Sequence, residues 1–128
     1  AAADGLALVD RFENQLERNN GKVQRSAIEL AKEWRTDRYL RRLDAQLLVA
    51  DPSIILIVSG EGEVIDPDEE VAAIGSGGPY AQSAAVALIR HTDLGAAELA
   101  RNAMDIAASL CIYTNHEIAL ETVPANHD

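Results

Sequence analysis

Apolar residues recur at helical spacing from the start of the chain. After Asp4, an N-cap by type, Leu6, Val9, Phe12 and Leu16 share one face, and Asn20-Gly21 supplies a left-handed stop. The spacing predicts an amphipathic helix over 5–19. A second begins near Lys22, where Val23, Ala27, Leu30 and Trp34 step by four, three and four. Its stripe blurs at Thr36-Asp37 and resumes at Tyr39, Leu40 and Leu43, which predicts a break or kink near 36.

From Gln46 the period changes. Short apolar runs alternate with turn residues: Leu47 to Ala50, Asp51-Pro52, Ile54 to Val58, Gly60-Glu61-Gly62, Val64-Ile65, then Val71 to Ile74. These predict three or four strands joined by tight turns, so consecutive strands are antiparallel. The run from Ile54 to Val58 does not alternate, and the expectation is a strand covered on both faces. Pro79, after Gly75-Ser76-Gly77-Gly78, suits the first position of a helix running to about Arg90. Gly95 opens another, with Leu99, Ala103, Ile106 and Leu110 stepping by four, three and four. Ile118 to Val123 reads as a final strand and 125–128 as a loose tail. Two helices, a strand block, two helices and a strand make an α+β fold in which helix pairs cover a sheet. No internal repeat or linker marks a boundary, so residues 1–128 are expected to form a single domain.

A chain of 128 residues with 22 alanines and only five aromatic residues is large enough for one core, packed through small side chains. Its net charge of -10 repels polyphosphate and anionic lipid, which argues against nucleic acid as a partner. Cys111 is the only cysteine and lies in an apolar stretch, as a reduced thiol does in a cytoplasmic protein. No apolar run has the length of a membrane span, and the first residues do not read as a signal peptide.

The most informative local feature is Gly75-Ser76-Gly77-Gly78 between strand and helix. Such a loop turns backbone N–H groups toward an oxyanion, carboxylate or phosphate at the positive end of a helix. A nucleotide-binding loop would carry a lysine just after the glycines, where Pro79-Tyr80 stands, and no glycine lies two residues before Ser76 as in a hydrolase elbow. A glycine-rich packing turn remains the structural alternative. Cys111, Asn115 and His116 are too close in sequence for a nucleophile, base and orienting group, which normally meet through the fold. His91, His116 and His127 have no zinc-ligand spacing. Lys32, Arg35, Arg38 and Arg42 share a helical face interleaved with Glu33, Asp37 and Asp44, either a solvated face or a salt-bridged subunit contact.

Three stretches carry a resemblance: Glu29-Leu30-Ala31-Lys32-Glu33-Trp34-Arg35-Thr36-Asp37-Arg38, Ala73-Ile74-Gly75-Ser76-Gly77-Gly78-Pro79-Tyr80-Ala81, and Cys111-Ile112-Tyr113-Thr114-Asn115. In that order and spacing the chain resembles the HslV family, proteolytic subunits of bacterial ATP-dependent proteases and relatives of proteasome β subunits. The resemblance implies the N-terminal nucleophile hydrolase fold, with antiparallel sheets sandwiched between helix layers. It further implies homo-oligomeric rings around a chamber, fed with unfolded protein by an HslU-type ATPase. In that family an N-terminal threonine attacks the peptide carbonyl, with its own α-amine as base and a downstream lysine lowering the local pKa. By the resemblance Ser76 supports that threonine, while the backbone of Gly75, Gly77 and Gly78 assists the oxyanion. A monovalent cation, sodium or potassium, is implied at main-chain oxygens of Ala108, Cys111 and Thr114. No organic cofactor is implied.

Against that pattern, Ala1-Ala2-Ala3-Asp4 aligns inside the family sequence, and Ser109 stands where an acidic residue is common. The expectation is therefore a scaffold that lacks the strands bearing the threonine and lysine, an enzyme by ancestry that is inert as this polypeptide. A non-catalytic ring subunit, or a small-anion binding module built on the Gly75 loop, are the alternatives.

Overall fold

A computed structural model describes residues 2–123. The chain divides after Asp68 into two compact units.

The first unit opens with helix α1, Ala2–Arg18, three residues earlier than the predicted start because alanines extend the helix toward its beginning. Asp4 lies within the first turn, where its charge suits the positive helix end. The stop is as expected: Asn20 and Gly21 have φ of 58° and 76°, and the Gly21 N–H donates to the Leu16 carbonyl at 2.8 Å. Helix α2, Val23–Thr36, buries Ser26, Ala27, Leu30, Ala31 and Trp34. Its break near 36 has a specific agent. The Asp37 Oδ1 accepts the N–H groups of Tyr39 and Leu40, capping a 3-10 turn over Leu40–Arg42 that drives Leu40 and Leu43 into the core.

Strands β1, Gln46–Ala50, β2, Ile55–Ser59, and β3, Val64–Ile65, form one antiparallel sheet in that order. Asp51 closes the first hairpin by accepting the N–H groups of Ser53 and Ile54; Gly62, at φ 80°, closes the second. Val49 pairs with Leu56, and Leu47 with Val58, so their side chains lie on one face, packed with Leu8, Ala27, Ala31, Trp34 and Leu40. β2, expected to be covered on both faces, is covered more deeply on one of them. Leu56 and Val58 are 2% and 0% exposed, whereas Ile55 and Ile57 are only half-buried. The apolar run conceals an ordinary two-residue alternation.

The second unit is a helix pair, α3, Gly78–His91, and α4, Ala96–Leu110. Ala85, Leu99 and Ala103 form its core, with Val71, Leu88, Ile89 and Leu94 around them. Small residues at the contact let the helices approach closely. Arg90 and Glu69 form an ion pair. Two predicted strands are not formed: 71–74 and 118–123 are irregular. A strand exists only where a neighbour completes its hydrogen bonds, and among the described residues neither segment has one. Val71 instead packs on the helix pair. His127 and the predicted tail lie outside the described residues. Among those residues no helix is long and apolar enough to cross a membrane.

Candidate functional site

The glycine loop lies where its sequence suggests, immediately before α3. Gly75 adopts φ 96°, and its carbonyl accepts the Gly78 N–H at 3.1 Å, closing a tight turn around Ser76 and Gly77. Gly77 is the helix N-cap, its carbonyl accepting the Ala81 N–H at 3.0 Å. Gly78 is buried, whereas Gly75 and Ser76 are exposed. The Gly78 N–H is thus consumed within the loop. Pro79 has none to offer, which leaves the N–H groups of Gly77 and Tyr80 as donors with no backbone partner at this helix start among the described residues. The Ser76 hydroxyl takes part in none of the side-chain hydrogen bonds among the described residues and is free to meet a ligand or a neighbouring group.

The loop is held by the segment after α4. A β-carbon placed on Gly77 would lie 2.8 Å from the Thr114 Cγ2, so the backbone at 77 rests directly on that methyl group. Thr114 is fixed in turn: its Oγ1 donates to the Cys111 carbonyl at 2.8 Å, with the Ala107 carbonyl at 3.3 Å, and its N–H donates to the Cys111 carbonyl at 3.1 Å. Sequence reading assigned Thr114 only a main-chain oxygen. Its side chain, which couples the end of α4 to the glycine loop, was missed, because its contact with Gly77 depends on tertiary approach.

The three main-chain oxygens expected to hold a cation are not equivalent. The Ala108 carbonyl, in the last turn of α4, accepts no backbone hydrogen bond outside the helix, and the negative helix end favours a cation there. The Cys111 carbonyl already accepts two donors from Thr114, which uses both its lone pairs. Of the three expected oxygens, those of Ala108 and Thr114 are therefore the freer. No group of three or more His, Cys, Asp or Glu side chains among the described residues is arranged to hold a metal.

Cys111 is buried and among the described residues its thiol has no histidine partner, while His116 turns away to Asp105, with Nδ1 2.6 Å from Oδ1. The structure thus keeps apart the residues of a Cys/His arrangement. The basic face is also redistributed. Lys32 and Arg25 both pair with Glu29, whereas Arg35, Arg38, Arg41 and Arg42 are exposed and enter no ion pair among the described residues. Arg11, not singled out by sequence, bridges α1 to the helix break by donating to Glu33 at 2.5 Å and to Asp37 at 3.3 Å. The Leu40 N–H first, and then Arg11, hold the Asp37 carboxyl below the usual aspartate range, while the bond to Glu33 raises the Arg11 guanidinium. An open hollow of about 580 Å³, lined by Lys22, Arg25, Ile28, Asp51, Ser53 and Ile54, lies at the start of α2 and holds none of the expected site residues.

Comparison with known proteins identifies the family. The proteasome subunit family matches residues 1–123. The ATP-dependent protease subunit HslV of Pseudothermotoga lettingae is 57% identical over 123 residues, covering 96% of this chain and 70% of that protein. The HslV subunit of Caldicellulosiruptor saccharolyticus is 53% identical over 120 residues, covering 94% of this chain and 68% of that protein. The crystal structure of eukaryotic HslV from Trypanosoma brucei superposes with a TM-score of 0.84 at 43% identity, over 91% of this chain and 67% of that one. With identities this high along nearly its whole length and the α+β fold of the N-terminal nucleophile hydrolases, the chain belongs to the HslV family of ATP-dependent protease subunits.

Proposed function

We propose that this chain supplies the scaffold beside the nucleophile in the proteolytic core of an ATP-dependent threonine protease that degrades unfolded proteins inside a ring-shaped chamber. The observation that carries this reading is the Gly75–Gly78 loop, pinned by Thr114, which presents the exposed Ser76 hydroxyl and the Tyr80 N–H at the start of α3. A serine and a helix N-terminus held rigidly side by side suit the positioning of a threonine and the stabilisation of a developing oxyanion. Gly75 and Gly77 act through their backbone, and Gly78 closes the turn. The partners are further copies of the chain in a ring, an HslU-type ATPase and unfolded substrate protein, in the cytoplasm, with neither nucleic acid nor membrane involved.

The polypeptide by itself is inert in this proposal. Among the described residues every serine or threonine side-chain donor bond goes to a backbone carbonyl, and none reaches a base. A monovalent cation held mainly by the Ala108 and Thr114 carbonyl oxygens, that of Cys111 being engaged by Thr114, would brace the turn after α4 without entering the chemistry. The test is degradation of a fluorescent unfolded protein by the purified 128-residue chain, with and without an HslU-type ATPase and ATP, alongside native mass measurement. Ring-sized species that bind the ATPase and show no cleavage are expected. Cleavage by the chain alone would refute inertness, and failure to assemble or to bind the ATPase would refute the proteolytic-core reading.

A further inference from the structure

The turn between α1 and α2 carries a side-chain amide that differs from those of the other described asparagines. Asn20 is followed by Gly21, the one Asn-Gly pair in the sequence, and both residues are exposed. The Asn20 side chain enters no hydrogen bond among the described residues, so its carboxamide is free to fold back over the main chain. Others are engaged: the Nδ2 groups of Asn19 and Asn102 donate to the Gln15 and Glu98 carbonyls at 2.7 and 2.8 Å, and the Asn115 Oδ1 accepts the Glu117 N–H at 2.9 Å. Asn14 lies inside α1, where the helical ladder occupies the N–H that follows it.

What restrains Asn20 is the helix cap. Asn20 and Gly21 hold φ of 58° and 76°, and the Gly21 N–H is committed to the Leu16 carbonyl at 2.8 Å. The Lys22 N–H adds a bond to the Asn19 carbonyl at 3.1 Å. While these bonds stand, the Gly21 nitrogen keeps its proton and is turned away from the Asn20 carboxamide. Exposed terminal turns, however, open far more often than a whole fold does.

We propose that Asn20 is a site of spontaneous deamidation, gated by the cap of α1. When the cap opens, the Gly21 nitrogen gives its proton to hydroxide and bonds to the Asn20 Cγ. The Cγ–Nδ2 bond breaks, and Nδ2 leaves as ammonia with a proton taken from water. Gly21 has no side chain to obstruct the five-membered succinimide so formed. Water then opens the ring at Cγ to give aspartate, or at the Asn20 main-chain carbonyl to give isoaspartate. In sum one water is consumed and one ammonia released, with no change of oxidation state. Both products undo the stop that restrained them. Aspartate puts a carboxylate at the negative end of α1, where it is repelled. Isoaspartate lengthens the main chain by a methylene, so the Gly21 and Lys22 N–H groups no longer both reach the Leu16 and Asn19 carbonyls. The change is one-way and loosens the junction that sets α1 against α2, whose Leu8, Ala27 and Ala31 share a core. It is independent of the proteolytic role proposed above.

The test is incubation of the folded 128-residue chain at mildly alkaline pH, with the modified fraction at each asparagine followed by peptide mass mapping and isoaspartate resolved by chromatography. Asn20 is expected to react about tenfold or more faster than Asn14, Asn19, Asn102 or Asn115. In denaturant, where the cap is always open, its rate should rise by about a further tenfold. A faster reaction at any of the other four would overturn the site. Equal rates with and without denaturant would refute the gating, and an acidic product free of isoaspartate would refute the succinimide route. Asn20→Asp, which has the new charge without the longer backbone, is expected to melt a few degrees below the wild type. An unchanged melting temperature would show that the charge does not weaken the cap, contrary to the proposal.

Discussion

Gly77 and Thr114 are in direct contact: the space a β-carbon would take at position 77 is filled by the Thr114 Cγ2, 2.8 Å away. Thr114 cannot turn aside without giving up its hydroxyl bond to the Cys111 carbonyl. Gly77→Ala is therefore expected to cost ~1–3 kcal/mol, in the range of overpacked sites. The same change in a Thr114→Ser background, which removes the methyl group and keeps the hydroxyl, should cost much less. Thermal melting of the four proteins checks this; equal costs in both backgrounds would show that the contact is not what limits position 77.

Trp34 is wholly buried between α2 and the sheet, yet among the described residues its Nε1 has no hydrogen-bond partner. Trp34→Ala should cost ~3–5 kcal/mol, the range for a large aromatic lost from a core. Trp34→Phe removes a donor that is already unsatisfied along with part of the ring, so it should be the milder change by a clear margin. Denaturant titration of both variants measures the difference, and comparable losses would mean that the indole N–H finds a partner, such as an internal water, in solution.

The Asp37 carboxyl is held below the usual aspartate range, first by the Leu40 N–H and then by Arg11. Because the folded-state value is depressed, its contribution is complete above the ordinary aspartate value and disappears as pH falls through the lowered one. Asp37→Asn keeps an oxygen for the Tyr39 and Leu40 N–H groups but carries no charge. The wild type should lose its stability advantage over this variant on acidification below the aspartate range, as followed by melting temperature against pH. A constant gap between the two across that range would rule out a role for the charge.

If carbonyl oxygens at the end of α4 hold a monovalent ion, replacing potassium by tetramethylammonium at constant ionic strength should lower the melting temperature of the protein. Sodium and potassium need not be equivalent, since carbonyl sites differ in size. Identical melting in all three salts would count against the site.

The sequence was most legible where a local signal had a local cause. Asn20-Gly21 stops α1 through positive φ, Asp37 creates the break near 36, and Gly95 opens α4, all at or within a residue or two of their predicted places. The strand predictions at 71–74 and 118–123 failed because strand formation depends on a neighbour that a local pattern does not reveal. Likewise the letters of Ile54 to Val58 look uniform, and only the register with Leu47 and Val49 shows which of them face the core. In the candidate site, the loop at Gly75 and its helix were readable from glycine and proline alone. The contact with Thr114, 37 positions from Gly77, and the span of Arg11 to Glu33 and Asp37 depend on tertiary approach and leave no trace in spacing.

Cys111 closes α4 with its N–H on the Ala107 carbonyl and its side chain 7% exposed, directly before the solvent-facing Ile112 and Tyr113. A solitary thiol in that place is a natural clock for breathing of the turn. Alkylating reagents reach the sulfur only while the turn is open, so the labelling rate measures how often the support beneath the glycine loop gives way, with no added probe. Any ligand, ion or neighbouring subunit that tightens the loop should slow that clock.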